Sequence, residues 1–102
     1  MKSYLYSGKL SAKQGMQDEL ADILLKAAEL VSNVKGCKLY VISREPENSQ
    51  DVFVTEIWDN KEDHDNALKA HDVRELIIKA MPLLSEMPTK GLELEVLGGL
   101  GI

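Results

Sequence analysis

The chain has 102 residues, room for one domain, and its 44 % hydrophobic and 28 % charged content is that of a globular protein rather than a disordered segment. Seventeen acidic against twelve basic side chains leave a net charge of −5 with no basic run. That excludes the phosphate-backbone grip that a nucleic-acid binder needs.

Residues 3–10 (SYLYSGKL) predict a first strand. Ser11-Ala12-Lys13-Gln14 has capping-box spacing, and behind it Met16, Leu20, Ile23, Leu24, Ala27, Leu30, Val31 and Val34 recur at three and four residues. That stripe predicts a helix of about twenty residues closed by Gly36. Cys37 to Arg44 and Val52 to Trp58 read as two further strands, paired as an antiparallel hairpin across the turn formers 45–51.

Asp59-Asn60-Lys61-Glu62 has capping-box spacing again and starts a helix whose inner stripe is His64, Ala67, Leu68 and His71. Val73, Leu76, Ile77, Ala80, Met81 and Leu84 form a second stripe, ~180° away on a continuous helix. The segment is therefore broken at His71 and Asp72 into two helices. Lys90 to Leu97 alternates as a last strand, and residues 98–102 form a glycine-rich, partly apolar tail. The order β-α-β-β-α-β argues a ferredoxin-like α+β fold, an antiparallel sheet with helices on one face, in one domain spanning residues 1–102.

Two strands carry apolar residues on both faces. Val52, Val54 and Trp58 stand opposite Phe53, Thr55 and Ile57; Cys37, Leu39 and Val41 stand opposite Tyr40 and Ile42. Helices cover only one face, so a second copy is expected on the other, giving a homodimer with Phe53 and Ile57 in the interface. No apolar run approaches the ~18 residues of a membrane span, the first residues lack a signal peptide's hydrophobic region, and a lone cysteine suits a reducing compartment. The expected location is cytoplasmic, without a membrane partner.

Glu56 shares an apolar strand face with Trp58. It is either an ion-paired or capping residue, or a general base, or the group that orients a histidine. Trp58 is either a core anchor or the flat wall of a pocket for an aromatic ligand. His64 and His71 lie seven residues apart, ~10 Å in rise, too far for one metal; no zinc spacing or nucleotide fingerprint occurs, so neither metal nor cofactor is expected. His71 also suits a helix C-terminus as a cation, and Cys37 reads as a packed thiol.

Gly36-Cys37-Lys38-Leu39-Tyr40, Glu56-Ile57-Trp58, the His-bearing helix that follows and Leu83-Leu84 together resemble the antibiotic biosynthesis monooxygenase family over nearly the whole chain. The resemblance implies a dimeric α+β barrel, two ferredoxin-like sheets packed face to face, with a pocket between sheet and helices in each subunit. It implies one of several activities: cofactor-independent oxygenation of quinols or anthrones, haem degradation, or isomerisation of a phosphorylated signalling sugar. Glu56, Trp58 and His71 match the family pattern. The haem-degrading branch has an asparagine in the first strand and a haem-ligating histidine midway along the helix after the tryptophan. Residues 2–11 lack the asparagine, and Ala67-Leu68 are expected at that helix's middle.

The leading expectation is a monooxygenase acting on a small electron-rich aromatic, a quinol, phenol or anthrone-like compound, with dioxygen. His64 or His71 would be the base, Glu56 the orienting acid and Trp58 the stacking wall, with Tyr40 and Leu68 also contacting substrate. A dimeric small-molecule binding module is the alternative from another class.

Overall fold

Side chains alternate across each strand, so the pairing register decides which residues meet the helices. The computed structural model describes residues 2–47 and 50–102. Its strands are β1 (Ser3–Ser11), β2 (Cys37–Ser43), β3 (Asp51–Trp58) and β4 (Leu92–Val96), arranged β2-β3-β1-β4 with every neighbouring pair antiparallel. Helices α1 (Gln17–Val31), α2 (Lys61–Ala67) and α3 (His71–Ala80), with a 3₁₀ turn at Met81–Leu83, complete a ferredoxin-like α+β fold. Of the expected turn at 45–51, Asn48 and Ser49 lie outside the described residues.

Tyr4, Tyr6, Gly8 and Leu10 of β1 stand opposite Trp58, Glu56, Val54 and Val52 of β3, all on the helix side. One core cluster joins Leu20 and Leu24 of α1 to Val52, Val54, Ala80 and Leu84; a second joins Val31, Trp58, Ala67 and Val73. The other face of the sheet carries Leu5, Leu39, Val41, Phe53, Ile57, Leu92, Leu94 and Val96. Ile57 is buried there, whereas Val41, Leu92 and Leu94 are 45 %, 63 % and 49 % exposed.

Four details differ from the sequence reading. The Ser11 capping box does not form: β1 continues through Ser11, whose hydroxyl donates to Asp51 at 2.6 Å, and buried Ala12 bridges to Leu84. The helix therefore starts at Gln17, without a side-chain cap, and ends at Val31 instead of running on to Gly36. A bulge between Cys37 and Leu39 sets Cys37 opposite Trp58, so Cys37 belongs with Tyr40 on the helix side and not with Leu39 and Val41.

The third difference is the cap of α2, which is Asn60 rather than Asp59: its side chain accepts from the Asp63 backbone N–H at 2.8 Å. The fourth is His71, which opens α3 instead of closing α2, because α2 ends three residues after His64. A cation there meets the positive end of the helix dipole, so the C-terminal explanation for His71 does not hold. It also makes His64, not Ala67-Leu68, the middle of α2.

Candidate functional site

Three strands bring one polar row to the helix side. Tyr6 of β1, Glu56 of β3 and Tyr40 of β2 are register partners, and the next row along holds Gly8, Val54 and Ile42. Gly8 contributes no side chain, and a Cβ there would meet the Tyr6 ring at 3.0 Å. An interior strand glycine leaves room for a ligand or another chain segment. Here the room is a cavity of about 160 Å³, floored by Gly8, Val54 and Glu56. Leu24 of α1 and Ile77 of α3 wall it, and Pro88 and Thr89 of the segment before β4 contribute to its lining.

The roof is anchored twice. Ser85 donates its backbone N–H to the Ser11 carbonyl at 2.8 Å, and Gly91 donates its own to the Tyr6 hydroxyl at 3.3 Å. Only glycine fits at position 91, since a Cβ would collide with the Ser7 carbonyl oxygen and the Tyr6 ring.

Glu56 is 6 % exposed. The Trp58 indole N–H donates to its Oε1 at 2.9 Å, and His64 Nε2 lies 3.8 Å from the same oxygen. Both contacts fall on Oε1, leaving Oε2 without a hydrogen-bond partner among the described residues. Burial raises the Glu56 pKa above the usual carboxylate value, and the indole hydrogen bond and the charge of His64 oppose that rise. The charge of Glu56 acts back on Tyr40, whose hydroxyl is raised mainly by burial and then by that carboxylate.

His64 is buried behind this row, with ring centroids of Tyr4 and Tyr6 at 5.2 and 5.3 Å and Trp58 edge-on at 6.0 Å. Its Nδ1 lies 2.9 Å from Asp65 Oδ1. An ionised carboxylate only accepts, so the network assigns the proton to Nδ1 and turns Nε2 toward Glu56. The His64 hydrogen bond is the main reason that the Asp65 pKa is lowered. Beyond it, Lys61 reaches Asp65 at 3.3 Å and Glu93 at 3.1 Å. Glu93 accepts from the Tyr4 hydroxyl at 2.8 Å, and that bond, with Lys90 and Lys61, holds its pKa down to about 2.

The expected site residues therefore divide. Glu56 and Tyr40 line the cavity, and His64 backs Glu56 without lining it. Trp58, 1 % exposed, packs with Val31, Ala67 and Val73, and its polar atom is engaged by Glu56. Leu68 is half exposed, and the His71 side chain is 89 % exposed and paired with Glu75 at 2.9 Å. Neither joins the cluster. Sequence reasoning missed Tyr6, Gly8 and Asp65. The signal for the first two was the alternation Tyr4, Tyr6, Gly8 within one strand, which becomes a site only once β1 is registered against Glu56.

A wider groove of about 510 Å³ runs between α1 and β2, lined by Asp18, Leu25, Ile42 and Arg44 among others. It is more open, and the Arg44–Asp18 pair at 2.6 Å spans it. The smaller cavity holds the buried carboxylate, which makes it the chemically equipped one.

The model of the antibiotic biosynthesis monooxygenase family matches residues 4–77. A solved structure from Chloroflexus aurantiacus J-10-fl, named for the same family, is 32 % identical and superposes with a TM-score of 0.85 over 98 % of both chains. A conserved protein from Methanosarcina mazei Go1 shares the fold at 17 % identity and TM-score 0.84, covering 94 % of each chain. A protein from Caulobacter crescentus CB15, again named for the family, does so at 15 % identity and TM-score 0.85, covering 95 % of this chain and 92 % of its own. No curated protein matches. The match over most of the chain, together with the Chloroflexus likeness, shows that the chain belongs to the antibiotic biosynthesis monooxygenase family.

Proposed function

We propose that the protein is a cofactor-independent monooxygenase of a small phenol or quinol, with Glu56 as the general base. The observation that carries this reading is a buried carboxylate of raised proton affinity that opens onto an apolar cavity. A base works best when its pKa approaches the working pH, and burial moves Glu56 that way. The sequence reading gave the base to a histidine and the orienting role to Glu56. The geometry supports the reverse, with His64 behind Glu56 and Asp65 orienting His64.

Glu56 Oε2 takes a phenolic proton, and the electron-rich anion passes one electron to dioxygen. Recombination of the two radicals forms a carbon–oxygen bond, and Glu56 returns its proton to the peroxide. Loss of the ring-carbon proton then breaks the O–O bond. One oxygen stays on the ring as a carbonyl and the other leaves as water. The substrate supplies all four electrons, so the balance needs no further reductant. His64, when protonated on both nitrogens, faces the carboxylate and tempers its charge, while the buried surroundings strengthen each of these contacts.

Haem, which one branch of the family degrades, does not fit these residues. Both nitrogens of His64 are directed at carboxylates, its side chain is buried, and the cavity lies below the ~300–1,000 Å³ of pockets that hold even drug-sized ligands.

The same proposal includes a homodimer joined through the apolar outer sheet face, which leaves the cavity on the far side of each sheet. Oxygen uptake with methylhydroquinone tests the chemistry. Glu56→Gln keeps an acceptor for Trp58 but cannot take the proton, and kcat should fall by ~10²-fold or more. A Glu56→Gln variant as active as the wild type rejects the base; binding without oxygen uptake leaves a binding protein instead of an enzyme.

A further inference from the structure

The geometry points to a size limit: we propose that the cavity admits single-ring phenols and quinols and excludes those with fused rings. The inference rests on the proposed site and adds the substrate class. An apolar cavity of ~150 Å³ takes up one benzene ring. The space above Gly8 is about 160 Å³, so one ring fills it.

Its walls say how that ring lies. The row Tyr6–Glu56–Tyr40 is polar, and the rows beyond it, Gly8–Val54 and Leu10–Val52, are apolar. A hydroxyl therefore meets Glu56, and the ring lies along the strands over Gly8. A second fused ring lying inside the cavity would press on Leu24, a core residue of α1, or on Val54 of β3. Ile77, 41 % exposed on α3, is a wall that can be cut back at small cost. Size is therefore read by the fixed floor and by α3, and not by the charged network of Lys61 and Glu93.

Anaerobic calorimetry with methylhydroquinone, 1,4-dihydroxynaphthalene and anthrone tests this. The wild type should bind methylhydroquinone in a saturable way and each fused compound at least ~10-fold more weakly, the scale on which pocket size discriminates. Ile77→Ala should narrow that gap by ~10-fold, and Gly8→Ala should weaken methylhydroquinone binding by taking its space. Wild type that binds dihydroxynaphthalene as tightly as methylhydroquinone, or that binds none of the three, overturns the proposal. Oxygen uptake separates the two readings. Binding of methylhydroquinone without uptake overturns the oxygenase and leaves the size limit; equal oxidation of single-ring and fused compounds does the opposite.

Discussion

At the scale of single residues, a carboxylate taken out of water resists ionisation, and the donors beside Glu56 offset that resistance only in part. The consequence for stability has a sign. Because its folded pKa is raised, Glu56 contributes stability that is full below the unfolded value of ~4.3 and lost as pH rises through the folded pKa. Glu56→Gln carries no such loss, so its stability relative to the wild type should improve from pH 4 to pH 7. Urea denaturation at both values measures the change; a constant difference would mean that Glu56 is not raised. A residue at this position was legible in the sequence because period-two alternation placed it on an apolar face. Its partners were less so. Asp65 follows His64 directly, but adjacency in sequence does not say which carboxylate an imidazole nitrogen meets.

At the scale of elements, caps and breaks decide where the helix that carries His64 sits. Asn60 closes the Asp63 N–H at the start of α2, a helix of only two turns that carries His64. Asn60→Ala should cost ~1 kcal/mol, the usual worth of a side-chain cap. The loss is read as a lowered urea midpoint with an unchanged slope; no shift would mean that packing of Ala67 and His64 alone fixes the helix. The same spacing rule that found this cap misled at Ser11. There the hydroxyl had a competing partner, Asp51 on the neighbouring strand, and a long-range hydrogen bond outcompeted a local one. The Cys37 bulge was invisible for a related reason. A strand's alternation can be read from one segment, but a slipped register exists only between two.

At the scale of the whole molecule, the outer sheet face leaves apolar side chains exposed. Val41 on one edge strand and Leu92 and Leu94 on the other are 45 %, 63 % and 49 % exposed, and the row Leu39–Ile57–Leu5–Leu94 runs apolar across the sheet. Exposed apolar surface of this kind is what the proposed dimer would cover. The face was legible from the sequence, yet the residues best suited to test it were not. Ile57 is already buried within the chain, so a charge there would unfold the protein rather than divide a dimer. Val41→Glu and Leu94→Glu place the charge where only a second sheet would bury it. Sedimentation should give a dimer for the wild type and a shift to monomer for the double variant, with far-UV circular dichroism unchanged. A wild-type monomer at micromolar concentration would sink the assembly.

The two anchors at Ser85 and Gly91 set apart the stretch of chain between them. One end is tied to the β1 backbone through the Ser85 N–H and the other to the Tyr6 hydroxyl through the Gly91 N–H, and its middle, Pro88 and Thr89, lines the cavity. Closure entropy grows only slowly with loop length, so residues can be added or removed there at little energetic cost. One exposed edge of the cavity thus lies on a segment that carries none of the residues assigned to proton transfer, so its length can change while Glu56 and its neighbours stay in place.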